Sequence, residues 1–150
     1  MFIEISDYNP QWRNEYKIIQ AELKTLFAFP INHIGSTSVP ELAAKPKIDV
    51  LVEVPHIDDI LGYIDQLAQL GYEYRFRTWS RRCFFRKKTL SKINTAIHIH
   101  VVENTSFEKG LLLRFRDYLR LHHDIAKKYE DVKRHAAQIA KNDIIQYITM

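Results

Sequence analysis

A short strand-like segment constrains the fold of this chain more than any other feature. Residues 48–54 read IDVLVEV, which is dense in β-branched side chains, and they lie between Pro46 and Pro55. Because proline cannot donate a hydrogen bond inside a sheet, the two prolines bound the segment, and its composition predicts a buried central strand. Asp49 interrupts the apolar run near its start. A carboxylate in that position can hold the divalent ion that bridges phosphate oxygens.

The remaining hydrophobic pattern predicts an α/β (α+β) fold. Apolar positions at helical spacing predict helices over about residues 10–27, 58–70 and 106–122 and from 124 onwards. Alternating or short apolar runs predict further strands at 31–34, 72–76, 81–87 and 93–102, the last two as a hairpin. This order fits a mixed β-sheet with helices covering one of its sides.

Length and composition bound the class of protein. With 150 residues and 46% hydrophobic content, the chain fits a single domain over 1–150, and we expect a monomer or a homodimer. Cys83 is the only cysteine and no secretory leader opens the sequence, which predicts a cytoplasmic protein. No apolar run approaches the roughly 18 residues of a membrane span, so no membrane partner is expected. The net charge of +4 attracts polyanions but does not identify one.

A Gly-Ser turn precedes the strand by about a dozen residues. Small residues in such a turn let backbone N–H groups approach a phosphate closely. A lysine beside the turn would neutralise phosphate charge, and a histidine before it would either contact a phosphate when protonated or fix the turn. We therefore predict an anion-binding cleft between the turn and Asp49. Its predicted phosphate ligands are His33, Gly35, Ser36, Thr37 and Lys45.

The sequence around the turn resembles a known family. Residues 33–53 resemble the signature of the GrpB family, a group assigned to the nucleotidyltransferase superfamily, and segments 84–87, 98–102 and 113–120 resemble it in the same order. The resemblance implies a nucleotidyltransferase-like mixed sheet, a nucleotide or another phosphorylated ligand, and Mg²⁺ or Mn²⁺ with no organic cofactor. Glu41 stands where the family usually has glycine, which adopts positive φ most easily.

Nucleotidyl transfer of the kind that this resemblance implies needs two or three carboxylates around one or two metal ions. Asp49 fits the first position, but the second is Leu51, and Glu53 lies about 13 Å further along the strand. His98 and His100 would replace the missing acid, because residues two apart in a strand project from one face with Cα atoms about 7 Å apart. We predict Asp49, His98 and His100 as the catalytic and metal-binding residues. This set suits Mn²⁺, Zn²⁺ or Fe²⁺ better than Mg²⁺, and the alternative is two hydrogen-bonded histidines without a metal.

Three arginines complete the predicted ligand set. Arg82 and Arg86 lie on one face of a predicted strand with Phe84 between them, which would bind a polyanion while the ring stacks a base. Arg116 on the long helix is predicted to reach back to the sheet and contact phosphate. The alternatives are a mixed edge face for the strand and a surface ion pair involving Asp117 for the helix.

Three functions remain open from the sequence. The first is an enzyme that binds a nucleoside triphosphate at the Gly-Ser turn and transfers a nucleotidyl group with a metal at Asp49. The second is a binding module that recognises a nucleotide or a phosphorylated metabolite without chemistry. The third is a nucleic-acid-binding protein that uses the basic strands over 75–92, for which affinity would fall steeply with salt.

Overall fold

The computed structural model describes residues 5–77, 82–88 and 95–139. Four α-helices are present in these parts of the chain: α1 (Gln11–Lys24), α2 (Ile64–Gln69), α3 (Phe107–Leu121) and α4 (His123–Ile139). Five strands form one sheet: β1 (Ile31–Ile34), β2 (Lys47–Val54), β3 (Glu73–Arg77), β4 (Cys83–Lys88) and β5 (Ala96–Glu103). The order predicted from the sequence is confirmed. The segment over 88–92 that is predicted to join the last two strands lies outside the described residues from 89 onwards, as does the end of the last predicted helix.

The sheet is mixed, with the strand order β1-β2-β5-β4-β3. Strands β2 and β5 are parallel and the other neighbours are antiparallel, so the predicted hairpin of β4 and β5 is confirmed. Strand β2 is an inner strand and is buried from Ile48 to Val54, as its composition predicts. The parallel register places Asp49 directly beside His98.

One face of the sheet carries the main hydrophobic core. The even positions of β2 pack there against α1 and against the segment from Ile57 to α2. Amphipathic spacing explains the position of α1, since its buried residues recur every three or four positions. The core side chains that α1 and β2 contribute are Trp12, Tyr16, Ile19, Leu23, Ile48, Val50, Val52 and Val54.

The opposite face is also covered, which differs from the expectation of helices on one side only. Leu112 and Leu113 of α3 pack against a buried cluster formed by Ile34, Leu51 and Val102. These apolar side chains on the Asp49 face need cover from water, and α3 supplies it. None of the helices in the described parts of the chain combines the length and apolar composition that a bilayer crossing requires.

Two local conformations differ from the simplest expectation. The helix predicted over 58–70 is a 3₁₀ segment from Ile57 to Tyr63 followed by α2, and Gly71 with φ +97° ends it as predicted. Glu41 adopts φ +70°, so this chain keeps a left-handed residue where the GrpB signature usually has glycine. The absence of glycine therefore does not abolish the turn after Pro40.

Candidate phosphate and metal site

The Gly-Ser turn and Asp49 lie side by side. Gly35 has φ +74°, and a Cβ atom built on it would lie 2.5 Å from Oδ2 of Asp49. Glycine is required here twice, because the backbone conformation is left-handed and because the carboxylate occupies the space that any side chain would need. Ser36 to Ser38 continue as a single 3₁₀ turn. The antiparallel register explains the approach, since Ile34 is the direct partner of Asp49.

A cavity of about 250 Å³ opens between the turn and α4. Three lysines and one carboxylate supply its charged side chains, so the cavity has an excess of positive charge. We call it the lysine cavity. It is lined by Gly35, Ser36, Thr37, Ala44, Lys45, Lys47, Asp49, Phe115, Tyr129 and Lys133. Sequence reasoning identified five of these residues, namely Gly35, Ser36, Thr37, Lys45 and Asp49, and missed the two other lysines and both aromatic residues.

Lys133 of α4 reaches the Gly-Ser turn from the far end of the chain. Its Nζ donates a hydrogen bond of 2.9 Å to Oγ of Ser36 and lies 5.2 Å from the centre of the Tyr129 ring. Burial, together with the charges of Lys45 and Lys47, lowers the pKa of Lys133 to about 8, and the attraction of Asp49 offsets only part of this decrease. The sequence offers only a weak signal for this residue, namely its spacing of four from Tyr129, which places both on one side of the helix.

The predicted metal ligands Asp49, His98 and His100 are brought together. His100 Nε2 lies 3.0 Å from Asp49 Oδ1, and His98 Nδ1 lies 3.9 Å from the same oxygen. One ligand atom from each of the three residues lies within 4.8 Å of the others. The strand register explains this arrangement. His98 is the direct neighbour of Asp49, and His100, two residues further along β5, projects from the same face of the sheet.

Arg82 determines which ring nitrogen of His100 carries the proton. An Arg82 Nη2 group donates to His100 Nδ1, and Arg82 Nη1 pairs with Glu108 of α3. Arginine can only donate, so Nδ1 of His100 is the acceptor, and its Nε2 carries the proton that is donated to Asp49. Arg82, which was predicted to contact phosphate, therefore lies in a hydrogen-bonded chain that runs from Glu108 to Asp49.

The surroundings of Asp49 and His98 keep the first residue anionic and the second neutral. Burial alone would raise the pKa of Asp49, but the hydrogen bond from His100 and the charge of Lys47 outweigh burial, so this pKa is lowered. Burial lowers the pKa of His98 to about 4, and the attraction of Asp49 offsets only part of this effect. A neutral imidazole beside an ionised carboxylate has the lone pair that metal ligation requires.

His33 lies on the other face of the sheet, against α1. Its ring makes an edge contact with Tyr16, at 4.6 Å between ring centres, and its Nε2 lies 3.1 Å from Thr37 Oγ1. The Thr37 hydroxyl donates its only proton to the carbonyl of Lys47, at 2.9 Å, so His33 Nε2 must donate to Thr37. Burial lowers the pKa of His33 to about 4. These contacts connect His33 to Thr37 of the turn, and its predicted contact with phosphate stays a prediction.

Arg86 and Arg116 lie outside the lysine cavity. Arg86 is the β4 partner of His98, and its charge contributes to the lowered pKa of that histidine. Arg116 does reach the sheet, where its Nη1 donates to the carbonyl of His33 and to Oδ1 of Asn32, each at 3.2 Å. It also pairs with Asp117 at 2.9 Å, and it therefore joins α3 to β1.

The lysine cavity has no second carboxylate among the described residues. Leu51, at the position of the missing acid, is completely buried in the apolar cluster under α3. Glu53 is buried on the same face with Lys109 Nζ 3.0 Å from its Oε1, although the geometry is not that of a hydrogen bond. A site with one carboxylate and two imidazoles is what this face of the sheet offers.

Several known proteins with similar sequences carry the name of one family. The family model described as GrpB protein matches residues 2–150. The UPF0157 protein YqkA of Bacillus subtilis is 37% identical over 152 residues, which cover 97% of this chain and 43% of that protein. The UPF0157 protein SCO7215 of Streptomyces coelicolor is 36% identical over 149 residues, covering 97% of this chain and 76% of the relative. The chain thus spans less than half the length of the Bacillus relative.

Solved structures extend the similarity to the fold. The crystal structure of conserved protein GrpB from Enterococcus faecalis has a TM-score of 0.85 and 33% identity, covering 96% of this chain and 88% of that one. A cytoplasmic RNA terminal U-transferase has a TM-score of 0.60 at 14% identity, covering 86% and 41%. The Cid1 poly(U) polymerase in its MgGTP-bound structure has a TM-score of 0.56 at 16% identity, covering 78% and 40%.

The U-transferase and the poly(U) polymerase show a shared nucleotidyltransferase-like fold, since identity this low supports no more. The family assignment rests instead on the family match along almost the whole sequence and on relatives above 30% identity. This chain belongs to the GrpB family.

Proposed function

We propose that this chain binds a nucleoside triphosphate together with a divalent metal ion in the lysine cavity. One observation carries the proposal: three lysines converge on a Gly-Ser turn whose backbone abuts the buried carboxylate of Asp49. Ammonium groups and the N–H groups of a tight turn are suited to phosphate oxygens, and a carboxylate beside them is suited to the ion that phosphates carry. The MgGTP complex of the structurally similar Cid1 polymerase supports the same ligand class.

The charges of the cavity favour an anionic ligand. The repulsion from Lys45 and Lys47 contributes to the lowered pKa of Lys133, and Asp49 alone does not balance the three lysines. A polyphosphate would relieve this repulsion, so part of its binding free energy comes from interactions that are unfavourable in the free protein. The hydrogen bond from Lys133 to Ser36 would be exchanged for one to phosphate.

The donor set fits a single metal ion. Ligands at about 2.1 Å from an ion lie within about 4.2 Å of one another, so the three ligand atoms, now within 4.8 Å, need small side-chain movements. One carboxylate and two imidazoles suit Mn²⁺, Zn²⁺ or Fe²⁺. His100 can join the set only if the proton on its Nε2 leaves, which requires Arg82 to release Nδ1. When bound, the ion would screen the charge of the phosphate oxygens.

Nucleotidyl transfer is the second candidate function, and the histidines beside Asp49 are the observation that favours it. They would substitute for the acid that is missing at position 51, although the described part of the chain offers no second carboxylate for a two-metal mechanism. Nucleic-acid binding by the strands over 75–92 stays a prediction. Arg75 and Lys87 in that region pair with Glu73 and Glu22, and residues 78–81 and 89–92 lie outside the described parts of the chain.

Isothermal titration calorimetry with ATP, GTP, CTP and UTP tests the proposal. Each nucleotide is titrated with Mg²⁺, with Mn²⁺ and with neither, and we expect at least one to bind more tightly when Mn²⁺ is present. Absence of binding by all four under all conditions would refute the proposal. Salt-sensitive binding of RNA in place of nucleotides would support the nucleic-acid alternative.

Replacing Lys133 with glutamine should weaken nucleotide binding about tenfold, because one charge-assisted contact to phosphate is lost. The matched control is Lys128→Gln on the exposed side of the same helix, which removes an equal charge and should leave the dissociation constant within about twofold. Both are measured by calorimetry. Equal effects of the two variants would show that Lys133 acts only through the net charge.

Replacing Asp49 with asparagine should abolish the advantage that Mn²⁺ confers, with a loss of roughly 30-fold in affinity. The amide keeps the shape of the carboxyl group and can still accept from His100, but it is a poor metal ligand. Metal-free nucleotide binding should persist or improve, since a negative charge beside the phosphates disappears. Calorimetry with and without Mn²⁺ separates the two effects, and a variant that keeps its Mn²⁺ dependence would place the ion elsewhere.

Metal-free ATP binding should weaken as the pH rises through about 8. The folded pKa of Lys133 is about 8, so the ammonium group that attracts phosphate is present below this pH and is lost above it. ATP is fully ionised over the range from 7.5 to 9.5, and dissociation constants measured across this range should rise in the natural protein and stay flatter in Lys133→Gln. Parallel profiles for the two proteins would contradict the assignment.

A further inference from the structure

A second cavity lies behind the 35–38 turn, on the face of the sheet that α1 covers. Its volume is about 460 Å³, larger than the lysine cavity. Thr37 lines both cavities, so the turn forms a wall between them. Arg13 and Lys17 of α1 and Arg120 of α3 contribute cationic side chains, and we call this space the arginine cavity.

The positive charge of the arginine cavity is not balanced by the protein. Arg13 and Lys17 lie four residues apart and therefore project from one side of α1. Within the described ranges, neither they nor Arg120 form an ion pair with a carboxylate. The carboxylate whose charge acts on Arg120 is that of Asp117, which pairs with Arg116. Three cationic side chains thus line one cavity, and none of them forms an ion pair within the described residues.

Arg120 is held so that it presents donors to this cavity. Its Nε donates a hydrogen bond of 3.0 Å to the carbonyl of Ser38, while its two terminal Nη groups make no hydrogen bond to other described residues. Burial lowers the pKa of Arg120, and the charges of Arg116 and Arg13 add to this effect. A partly desolvated guanidinium with two open donor groups has the geometry that binds phosphate through paired hydrogen bonds.

Tyr16 adds a neutral donor to the same wall. Burial raises its pKa to about 12, so the hydroxyl stays protonated at neutral pH. The hydroxyl makes no hydrogen bond to another residue in the described parts of the chain. A phosphate oxygen between Tyr16 and Arg120 would satisfy both groups.

We propose that the arginine cavity binds a second phosphorylated small molecule, held by Arg13, Lys17 and Arg120. This site is separate from the proposed nucleotide site, because the 35–38 turn stands between them. A ligand here would contact Thr37 and Arg120, which hold the turn through the carbonyls of Lys47 and Ser38. Binding on one side of the turn therefore acts on the backbone that faces the nucleotide on the other side.

The test uses inorganic phosphate as the probe and ¹H–¹⁵N NMR as the readout. The protein carries Lys133→Gln, so that binding in the lysine cavity is weakened. We expect phosphate to shift the amide signals of Thr37 and Ser38 and the Nε–H signal of Arg120, and acetate at equal ionic strength to leave them unchanged. Shifts of equal size with acetate would show a general anion effect and overturn the proposal.

A pair of double variants gives the decisive comparison. Arg13→Gln with Lys17→Gln should weaken phosphate binding at least tenfold, as judged from the NMR titration. Lys24→Gln with Lys128→Gln removes the same charge from exposed positions and should change it less than twofold. Arg13 and Lys17 are themselves exposed, so the first variant should fold, which circular dichroism verifies. Equal weakening by both pairs, or none by the first, would overturn the proposal.

The outcome is independent of the proposed function. ATP binding in the natural protein tests the lysine cavity, and phosphate binding in Lys133→Gln tests the arginine cavity. If no nucleotide binds while phosphate binding still depends on Arg13 and Lys17, the nucleotide proposal fails and the second site stands. If ATP binds with the expected Lys133 dependence while phosphate produces no shift, the second site fails alone.

Discussion

Replacing Leu51 with aspartate, which would restore the second acid of a two-metal site, should lower the free energy of unfolding by about 4 kcal/mol or more. Leu51 is fully buried. Its neighbours are Ile34 and Val102 of the sheet and Leu112 and Leu113 of α3. The substitution removes the packing of a large side chain and places a carboxyl group in a cluster of apolar side chains. We expect instability and no gain in metal-dependent activity. Urea denaturation at pH 7 measures the loss.

The pH dependence identifies the cause of this loss. A carboxyl group buried among apolar side chains has a folded pKa above its unfolded value, so its charged form destabilises the fold as the pH rises through that range. The difference in stability between Leu51→Asp and the natural protein should therefore narrow toward pH 4. Leu51→Met, which nearly conserves volume, should cost less than about 1.5 kcal/mol. A stable Leu51→Asp protein that binds a second Mn²⁺ would contradict this account of the site.

Replacing Gly35 with alanine should lower the free energy of unfolding by about 3 kcal/mol. Left-handed φ at a residue with a side chain costs about 1–2 kcal/mol, and the new Cβ would displace Asp49, adding about 1–3 kcal/mol. Because Asp49 must move, nucleotide binding with Mn²⁺ should fall as well. Urea denaturation gives the stability, and calorimetry on the folded fraction gives the binding.

Gly62 provides the control for Gly35. It lies in the 3₁₀ segment before α2, its φ is not positive, and a Cβ built on it meets nothing within 4 Å. Gly62→Ala should therefore change the stability by less than about 1 kcal/mol in either direction. An equally large loss in both variants would mean that the contact with Asp49 does not explain the glycine at position 35.

Local signals in the sequence were sufficient to predict most of the fold. Proline boundaries and β-branched density identified β2, period-two alternation identified β3, and helical spacing identified α1, because each pattern reflects burial within a single element. The sequence could predict that Asp49 meets His98 and His100 only on the condition that their two strands are neighbours in the sheet. The parallel register of β2 and β5 met this condition.

Other parts of the site depend on contacts between distant elements and could not be predicted. Lys133 reaches Ser36 because α4 packs across the turn, and no local pattern specifies that packing. Arg82 was predicted to contact phosphate, but its partners His100 and Glu108 come from β5 and α3. His33 precedes the turn, and the pleat of β1 sends its side chain to the opposite face from Asp49.

The parallel pairing of β2 with β5 determines when the site can form during folding. The other strand pairs join consecutive strands, whereas β3 and β4 lie between β2 and β5 in the sequence. Closing so long a stretch of chain is entropically unfavourable, and contacts of this kind tend to slow folding. Asp49 belongs to one half of the sheet and both histidines to the other. A folding intermediate in which β2 and β5 are not yet paired would thus have no metal site. Metal affinity would appear only after these two strands have paired.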